Sequence, residues 1–350
     1  MAIGSSFSES ESCRVKWFLL VLLLLIGFYY FAPSTPPLSP PQETEQKDDM
    51  IKEPKVENGI LSLIGKTEKE VKEKFGSPTR IDASAYDYEW WIYHREAGSY
   101  FQVGVMDGRV VTAFICGEDV NVKPFYIGQP IQDVFKTMPV LENVEIKLRT
   151  GTYRFELSEQ DYATRPVVKI GNVYAQLYVD RFTGKISSIR LMTAETFVKM
   201  RPYELVYRGH LLNPEPLSAK RQREVEIANA KQIFDITNVI RQHYRVKPVR
   251  WHEEAAKVAY MHSKDMKENQ FFSHESPKSG DLKDRLLAAN IQFQMAGENI
   301  AAHHIDAIEA VQGWLNSKSH RETLLNEQFT DLGVGVSGAY YTQDFLKPWP

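Results

Sequence analysis

Apolar residues run unbroken from Trp17 to Ala32 and then give way to a stretch, Pro33 to Asn58, that is first proline-rich and then polar and charged. The apolar segment is slightly short of the ~20 residues that cross a bilayer core, a deficit that tilt or local thinning absorbs. The stretch after it cannot bury enough apolar surface to fold and reads as a stalk. Beyond the stalk the pattern repeats. Ile64-Gly65-Lys-Thr-Glu-Lys-Glu-Val71 aligns with Ile127-Gly128-Gln-Pro-Ile-Gln-Asp-Val134, and each copy passes from a short amphipathic helix into strands. Turn signals at Asp107-Gly108 and Thr183-Gly184 close each copy with a hairpin. Two helix-plus-hairpin repeats, about 60–125 and 126–200, therefore predict one α+β domain over 59–201.

Pro214 and Pro216 mark a connector over 202–220, and a cut there is expected to leave two separately folding pieces. From Arg221 the apolar positions Ile227, Ala230, Ile233, Phe234 and Ile240 recur at three and four, the period of a helix. Pro248 and Trp251 end it. Further helices are expected over Glu253 to Lys267 and Ile305 to Asn316, with paired strands over Gly333 to Val336 and Ala339 to Phe345. A second domain thus occupies 221–350.

Charge fixes the orientation of the apolar run. Arg14 and Lys16 precede it and no Lys or Arg follows until Lys47, which places residues 1–16 in the cytoplasm and both domains outside. The reading is a single-pass signal anchor over 17–32. A cleaved signal peptide is the alternative, although the exit, Phe28-Tyr-Tyr-Phe-Ala32, lacks an Ala-x-Ala site. With 42 Lys plus Arg against 45 Asp plus Glu there is no basic footprint, and no nucleic-acid partner is expected. Two cysteines, Cys13 and Cys116, exclude a disulfide framework.

Candidate chemistry gathers between Phe271 and Asn326: Phe-Phe-Ser-His274, Ala-Gly-Glu298-Asn-Ile, and Trp314-Leu-Asn-Ser317-Lys-Ser-His320-Arg321. Each residue also has a structural reading. His274 would cap a helix end, Glu298 would hold a loop through backbone N–H groups, and His320 with Arg321 would fasten the last helix. His262 reads as a core histidine, and His303 and His304 as solvated. Gly333-Val-Gly335-Val-Ser-Gly338 satisfies G-x-G-x-x-G, but about a dozen residues remain after it, too few for a dinucleotide site. The aromatic cluster Tyr86, Tyr88, Trp90, Trp91 and Tyr93 offers sugar stacking, with packing in a strand core the favoured reading.

From about Ile227 to Phe345 the chain resembles the bacterial branch of the CAP superfamily of cysteine-rich secretory, antigen 5 and pathogenesis-related proteins. The likeness rests on ordered blocks: Asn238 and Arg241, Trp251, His262-Ser263-Lys-Asp265-Met266, Phe272-Ser273-His274, Asp284-Arg285-Leu286, Gly297-Glu298-Asn299-Ile300, Ser317-Lys-Ser-His320-Arg321, Gly333-Val-Gly335-Val336 and Tyr341-Thr-Gln343. The first domain is similar, by its repeat and order, to the CAP-associated N-terminal domain. The resemblance implies an α-β-α sandwich for the second domain. It places His274 and Glu298 on two members of that superfamily's tetrad of two histidines and two glutamates. Ser317 stands where the second glutamate is expected and Tyr340 where a histidine precedes Tyr-Thr-Gln, while His320 supplies an imidazole from another position. His274, Glu298, His320, Ser317 and Tyr340 are thus expected to line one cleft. His274, Glu298 and His320 would share a weakly bound divalent cation such as zinc, with one position left open. The implied function is a membrane-tethered, extracytoplasmic module at the cell envelope of a Gram-positive bacterium, binding a lipid, a wall component or an envelope protein. A weakly metal-dependent hydrolase of peptide or cell-wall bonds is the alternative, and no residue is assigned a catalytic role.

Overall fold

A computed structural model describes residues 59–349; the apolar run over 17–32 and the stalk lie outside them. Among the described residues no helix is long and apolar enough to cross a membrane.

In the first repeat the helix α1 (Glu68–Phe75) leads into β1 (Arg80–Ala83), β2 (Glu89–Tyr93), β3 (Phe101–Met106) and β4 (Arg109–Ile115). In the second, α2 (Ile131–Thr137) leads into β5 (Val140–Leu141), then into a hairpin of β6 (Asn143–Leu148) and β7 (Gly151–Glu156) and the short α3 (Glu159–Thr164). The repeat resumes with β8 (Val167–Ile170), β9 (Val173–Asp180) and β10 (Lys185–Met192). The order of the eight-stranded sheet, β1-β2-β3-β4-β10-β9-β8-β5, joins two four-stranded halves at their closing strands. The repeated Ile-Gly has a backbone cause. Gly65 and Gly128 sit at φ of 86° and 87°, a region costly for any residue with a Cβ. Their N–H groups reach Val110 and Ile186, each just past a hairpin turn, at 2.8 Å. The same bond therefore staples each helix start to its own hairpin.

After α4 (Ala194–Met200), β11 (Glu204–Gly209) pairs with β7, so the expected connector begins as a strand of a three-stranded sheet, β11-β7-β6. The second half contains α5 (Ala219–His243), β12 (Arg250–Trp251), α6 (Glu253–Glu268), α7 (Leu282–Ala288), β13 (Phe293–Ala302), α8 (Ala307–Leu315), α9 (Lys318–Leu324), β14 (Asp331–Ser337) and β15 (Tyr340–Pro348). Its sheet runs β12-β14-β15-β13. Ile233, Ile236 and Ile240 of α5 and Val311 and Trp314 of α8 pack with Val334, Val336 and Phe345 of this sheet. Ala255 and Val258 of α6 pack with Leu286 of α7 and Leu346 of β15. Helices thus cover both faces, which is the α-β-α sandwich.

Gly333 and Gly335 belong to the central strand β14, as a strand-and-turn reading requires, and they are glycines because α6 lies directly on them. A Cβ on Gly335 would stand 1.9 Å from the backbone nitrogen of Tyr260, and one on Gly333 would stand 2.2 Å from the carbonyl carbon of Ala255. Neither obstacle is a movable side chain. Gly335→Ala is expected to cost about 3 kcal/mol, the upper part of the overpacking range, read as a lowered urea midpoint; a wild-type midpoint would show that the helix can retreat.

Besides a core of its own in each half, the two halves share one. Along β2 the residues alternate: Tyr88, Trp90 and Ile92 face the second half, where they share one cluster with α5, α8 and β14. Trp91 and Tyr93 face the side of α1 and α2. The aromatics are core, with Tyr88, Trp90, Trp91 and Tyr93 all under 5% exposed. Ion pairs cross the same boundary, Arg190 to Asp306 at 2.8 Å, Arg80 to Asp235 at 2.8 Å, Arg321 to Asp180 at 3.1 Å, and Arg165 to Glu309. The shared cluster counts against two separately folding pieces, because a cut would expose one face of each to water. Composition showed a proline-rich connector; it could not show that the sheet on one side buries both its faces.

Candidate functional site

Strands β13 and β15 pair so that Glu298 lies opposite Asp344 and Asn299 opposite Gln343. Successive residues of a strand point to opposite faces, so the Gly-Glu-Asn block sends a carboxylate to one face and an amide to the other. On its own face Asn299 donates to the carbonyl of His320 at 3.1 Å and to Gln343 Oε1 at 3.2 Å, while Gln343 Nε2 donates to Thr237 Oγ1 at 2.7 Å. Asn299 therefore fixes the backbone that carries His320. The preceding residue, Gly297, is small because a Cβ there would meet the Phe329 ring at 2.8 Å.

Glu298 is the hub of the other face, with its side chain 3% exposed. Its Oε1 accepts from His274 Nδ1 at 2.8 Å and its Oε2 from Arg285 Nη2 at 2.5 Å. His262 Nε2 stands 3.8 Å from Oε2 and donates to the carbonyl of Ser273 at 3.0 Å. Burial pushes the Glu298 carboxyl up, but the hydrogen bond from His274 and the charge of Arg285 outweigh it and hold the group below its usual range. Because ionised Glu298 can only accept, His274 carries its proton on Nδ1 and presents Nε2 outward from a side chain that is 58% exposed.

Arg285 is the functional residue that sequence reading passed over. It occurs with Leu282 and Leu286 on the inner side of α7, and its Nη1 also donates to the carbonyls of His274 at 2.9 Å and Gly280 at 3.0 Å. The available signal was an arginine at an apolar-facing helical position inside a recognised block.

Asp344 was missed as well. It is wholly buried, and both its oxygens lack a donor. Burial first, and then the adjacent Glu298, push its carboxyl well above the ordinary range. The raised carboxyl favours its neutral form, which can donate where an ionised one cannot.

The remaining candidates are placed around this hub. His320 Nδ1 meets Ser317 Oγ at 2.9 Å at the start of α9. Burial, and then the neighbouring His274, lower the His320 imidazole below its ordinary value. Tyr340 goes elsewhere, its ring edge-on to His303 at 5.6 Å. His274 does not cap a helix; it sits beyond α6 and its partner is Glu298. Arg321 fastens α9, as its structural reading required, with both terminal nitrogens on Asp180 at 3.1 Å. His304 is not simply solvated, since its Nδ1 lies 3.4 Å from Glu309.

The donor set does not fit a resident zinc ion. Among the described residues no three His, Cys, Asp or Glu side chains are grouped to hold a metal. Glu298 has one oxygen on His274 and the other on a guanidinium, while His274 and His320 each bond through Nδ1 and keep Nε2. A cation at Glu298 would have to displace Arg285, leaving a buried positive charge beside it.

The pattern of the CAP-associated N-terminal family matches residues 64–203 and that of the cysteine-rich secretory protein family matches 234–346. The chain is 51% identical over 292 residues to the uncharacterized membrane protein YlbC of Bacillus subtilis, covering 83% of this chain and 84% of that one. It is 39% identical over 121 residues to the uncharacterized protein YkwD of the same organism, across 34% of this chain and 47% of YkwD. Among solved structures, an extracellular protein with an SCP domain from Bacillus anthracis is 44% identical with a TM-score of 0.80, over 85% of this chain and 99% of that one. A cysteine-rich secretory protein from Staphylococcus aureus is 25% identical with a TM-score of 0.77, over 85% of this chain and 95% of that one. The chain belongs to the cysteine-rich secretory protein, or CAP, family, in the form that carries a CAP-associated N-terminal domain ahead of the CAP domain.

Proposed function

We propose that this protein is a tethered binding module of the bacterial cell envelope, held by a single-pass anchor over 17–32 with both domains outside, which uses the cleft at His274 to hold a lipid or envelope component. The observation that carries the reading is that the buried charges of the cleft are mutually neutralised. Glu298 is held by His274 and Arg285, and burial together with Glu298 raises the Asp344 carboxyl behind it. Such an arrangement gives a rigid wall with one exposed imidazole and no activated nucleophile. The name of YlbC, a membrane protein, supports the anchored placement. The test is to incubate the full chain in detergent with envelope lipid extract and with solubilised wall fragments, then identify by mass spectrometry what co-purifies. Wild type is expected to retain a component that His274→Ala loses at least tenfold. Retention of the same material by both proteins would overturn the cleft as the binding site.

One observation favours hydrolysis as a second reading. A histidine with Nδ1 on a buried carboxylate and Nε2 free is the orientation a general base requires. Turnover of a peptide or wall polymer lost in both His274→Ala and Glu298→Gln would establish it over binding alone.

A further inference from the structure

A cavity of about 720 Å³ lies between the two halves, separate from the His274 cleft, and both halves supply its walls. Volumes of this size and places where two domains meet are where small-molecule sites occur. From the first half come α3, Tyr178 and the turn after β9; from the second come His303, His304, one side of α8 and Ser317.

The balance of donors and acceptors decides what the cavity would take. Its carboxylates, Asp161 and Glu309, are both engaged: Arg165 Nε lies 2.6 Å from Asp161 and its Nη1 pairs with Glu309, which also faces His304. Two further cations line the wall, Arg181 and Lys318, and neither makes an ion pair among the described residues. The guanidinium of Arg181 lies over the Phe182 ring at 5.7 Å, which leaves its N–H edges free. Deeper in, Tyr178 and Gln312 are each 2% exposed, and Tyr178 Oη and Gln312 Nε2 have no partner. Gln312 Oε1 accepts from Ser187 at 2.7 Å, and its amide nitrogen is left as an unmet donor. Burial holds the Tyr178 hydroxyl above the usual phenol range, so it remains a donor at neutral pH. An unmet buried donor is costly, and two of them beside two unpaired cations leave an excess of positive and donating groups.

We propose that this cavity is a second ligand site, which binds an oxyanion, a carboxylate or a phosphate carried on a polar envelope molecule, between Arg181 and Lys318 at the mouth and Gln312 and Tyr178 within. The ligand supplies the acceptors that the lining lacks. Because α8 and the turn after β9 belong to different halves, the site exists only when the halves are docked. Ser317 lines the cavity and also bonds His320, so an occupant would sit one side chain away from the other cleft.

Calorimetry of the full chain at low salt tests this, with inorganic phosphate in one arm and glucuronate in the other to tell a phosphate-bearing ligand from a carboxylate-bearing one. At least one probe is expected to bind, and the doubly substituted Arg181→Ala, Lys318→Ala protein should bind it at least tenfold more weakly. Both residues are exposed, so the fold should persist by near-UV dichroism. Gln312→Leu, which changes no charge, should weaken binding as well. Lys257→Ala with Lys264→Ala, two charges on the far side of the CAP sheet, should leave affinity within twofold, as should His274→Ala. Failure of both probes to bind, or an equal loss from the Lys257 and Lys264 pair, would overturn the site, and the second outcome would mean attraction by net charge alone.

Discussion

Arg190→Ala is expected to lower the stability of the whole chain by about 3–5 kcal/mol, the range for removing one partner of a buried ion pair. Arg190 is fully buried, and its Nη2 lies 2.8 Å from both oxygens of Asp306. The guanidinium comes from β10 of the first half, whereas Asp306 caps α8 of the second by accepting from Glu309 N at 3.1 Å. Without the arginine a carboxylate remains in the joint core, among Tyr88, Tyr178 and the residues of α8. The paired substitution Arg190→Met with Asp306→Asn removes both charges and keeps a cap, and it should recover a large part of the loss. Urea unfolding of the three proteins reads the outcome. A single transition that moves as one body is expected, since the halves share a core. If Arg190→Ala left the midpoint unchanged, or melted only the second half while the first kept its transition, the joint core would not be the unit of stability.

The repeat was legible in sequence because its determinants are local. A glycine at positive φ, a helix start and a hairpin turn recur at fixed spacing, and each is a nearest-neighbour effect. The helices from Ala219, Glu253 and Ala307 were legible for the same reason, as were β14 and β15. The hairpin of β6 and β7, and β11 beside it, were not: β11 has no local signal stronger than its pairing with β7, and that pairing spans about fifty residues. The joint core was hidden for a related reason. Tyr88, Trp90 and Ile92 alternate with Trp91 as any half-buried strand would, and nothing in that alternation says that the other face is buried too.

In the cleft, the bond between His274 and Glu298 followed from matching blocks, but the groups that set its charge did not. Arg285 lay inside a block that carried only the resemblance. Asp344 follows Tyr-Thr-Gln, where neighbouring residues are strand-like, and its role depends on standing across the ladder from Glu298. The metal expectation counted two imidazoles and a carboxylate and left out the guanidinium that already neutralises that carboxylate.

Asp344→Asn is expected to make the protein more stable at neutral pH and to leave it nearly unchanged near pH 4. The buried Asp344 carboxyl lies against Glu298, and an ionised Asp344 would put two like charges side by side in a medium of low dielectric. Its folded-state pKa is therefore raised from the ordinary 3.8, by burial first and by Glu298 next. A raised pKa gives stability that is complete below the unfolded value and is lost as pH climbs toward the folded one. Over that window the folded state holds one proton more than the unfolded state, so wild type loses stability at a limiting slope of about 1.4 kcal/mol per pH unit. Asparagine has nearly the same shape, offers an N–H to Glu298 and does not titrate, so the slope disappears. Glu298 contributes in the opposite sense, since its depressed pKa supplies stability above the ordinary 4.5 that is lost on acidification. That limb is common to both proteins and largely cancels in their difference. Urea midpoints from pH 4 to pH 8 should thus diverge steadily in favour of the variant, while Asp344→Leu, which offers Glu298 no hydrogen, should be less stable than either. Parallel profiles for wild type and Asp344→Asn would mean that Asp344 is ionised in the folded protein. The negative charge of the cleft would then be shared between two carboxylates rather than held on Glu298.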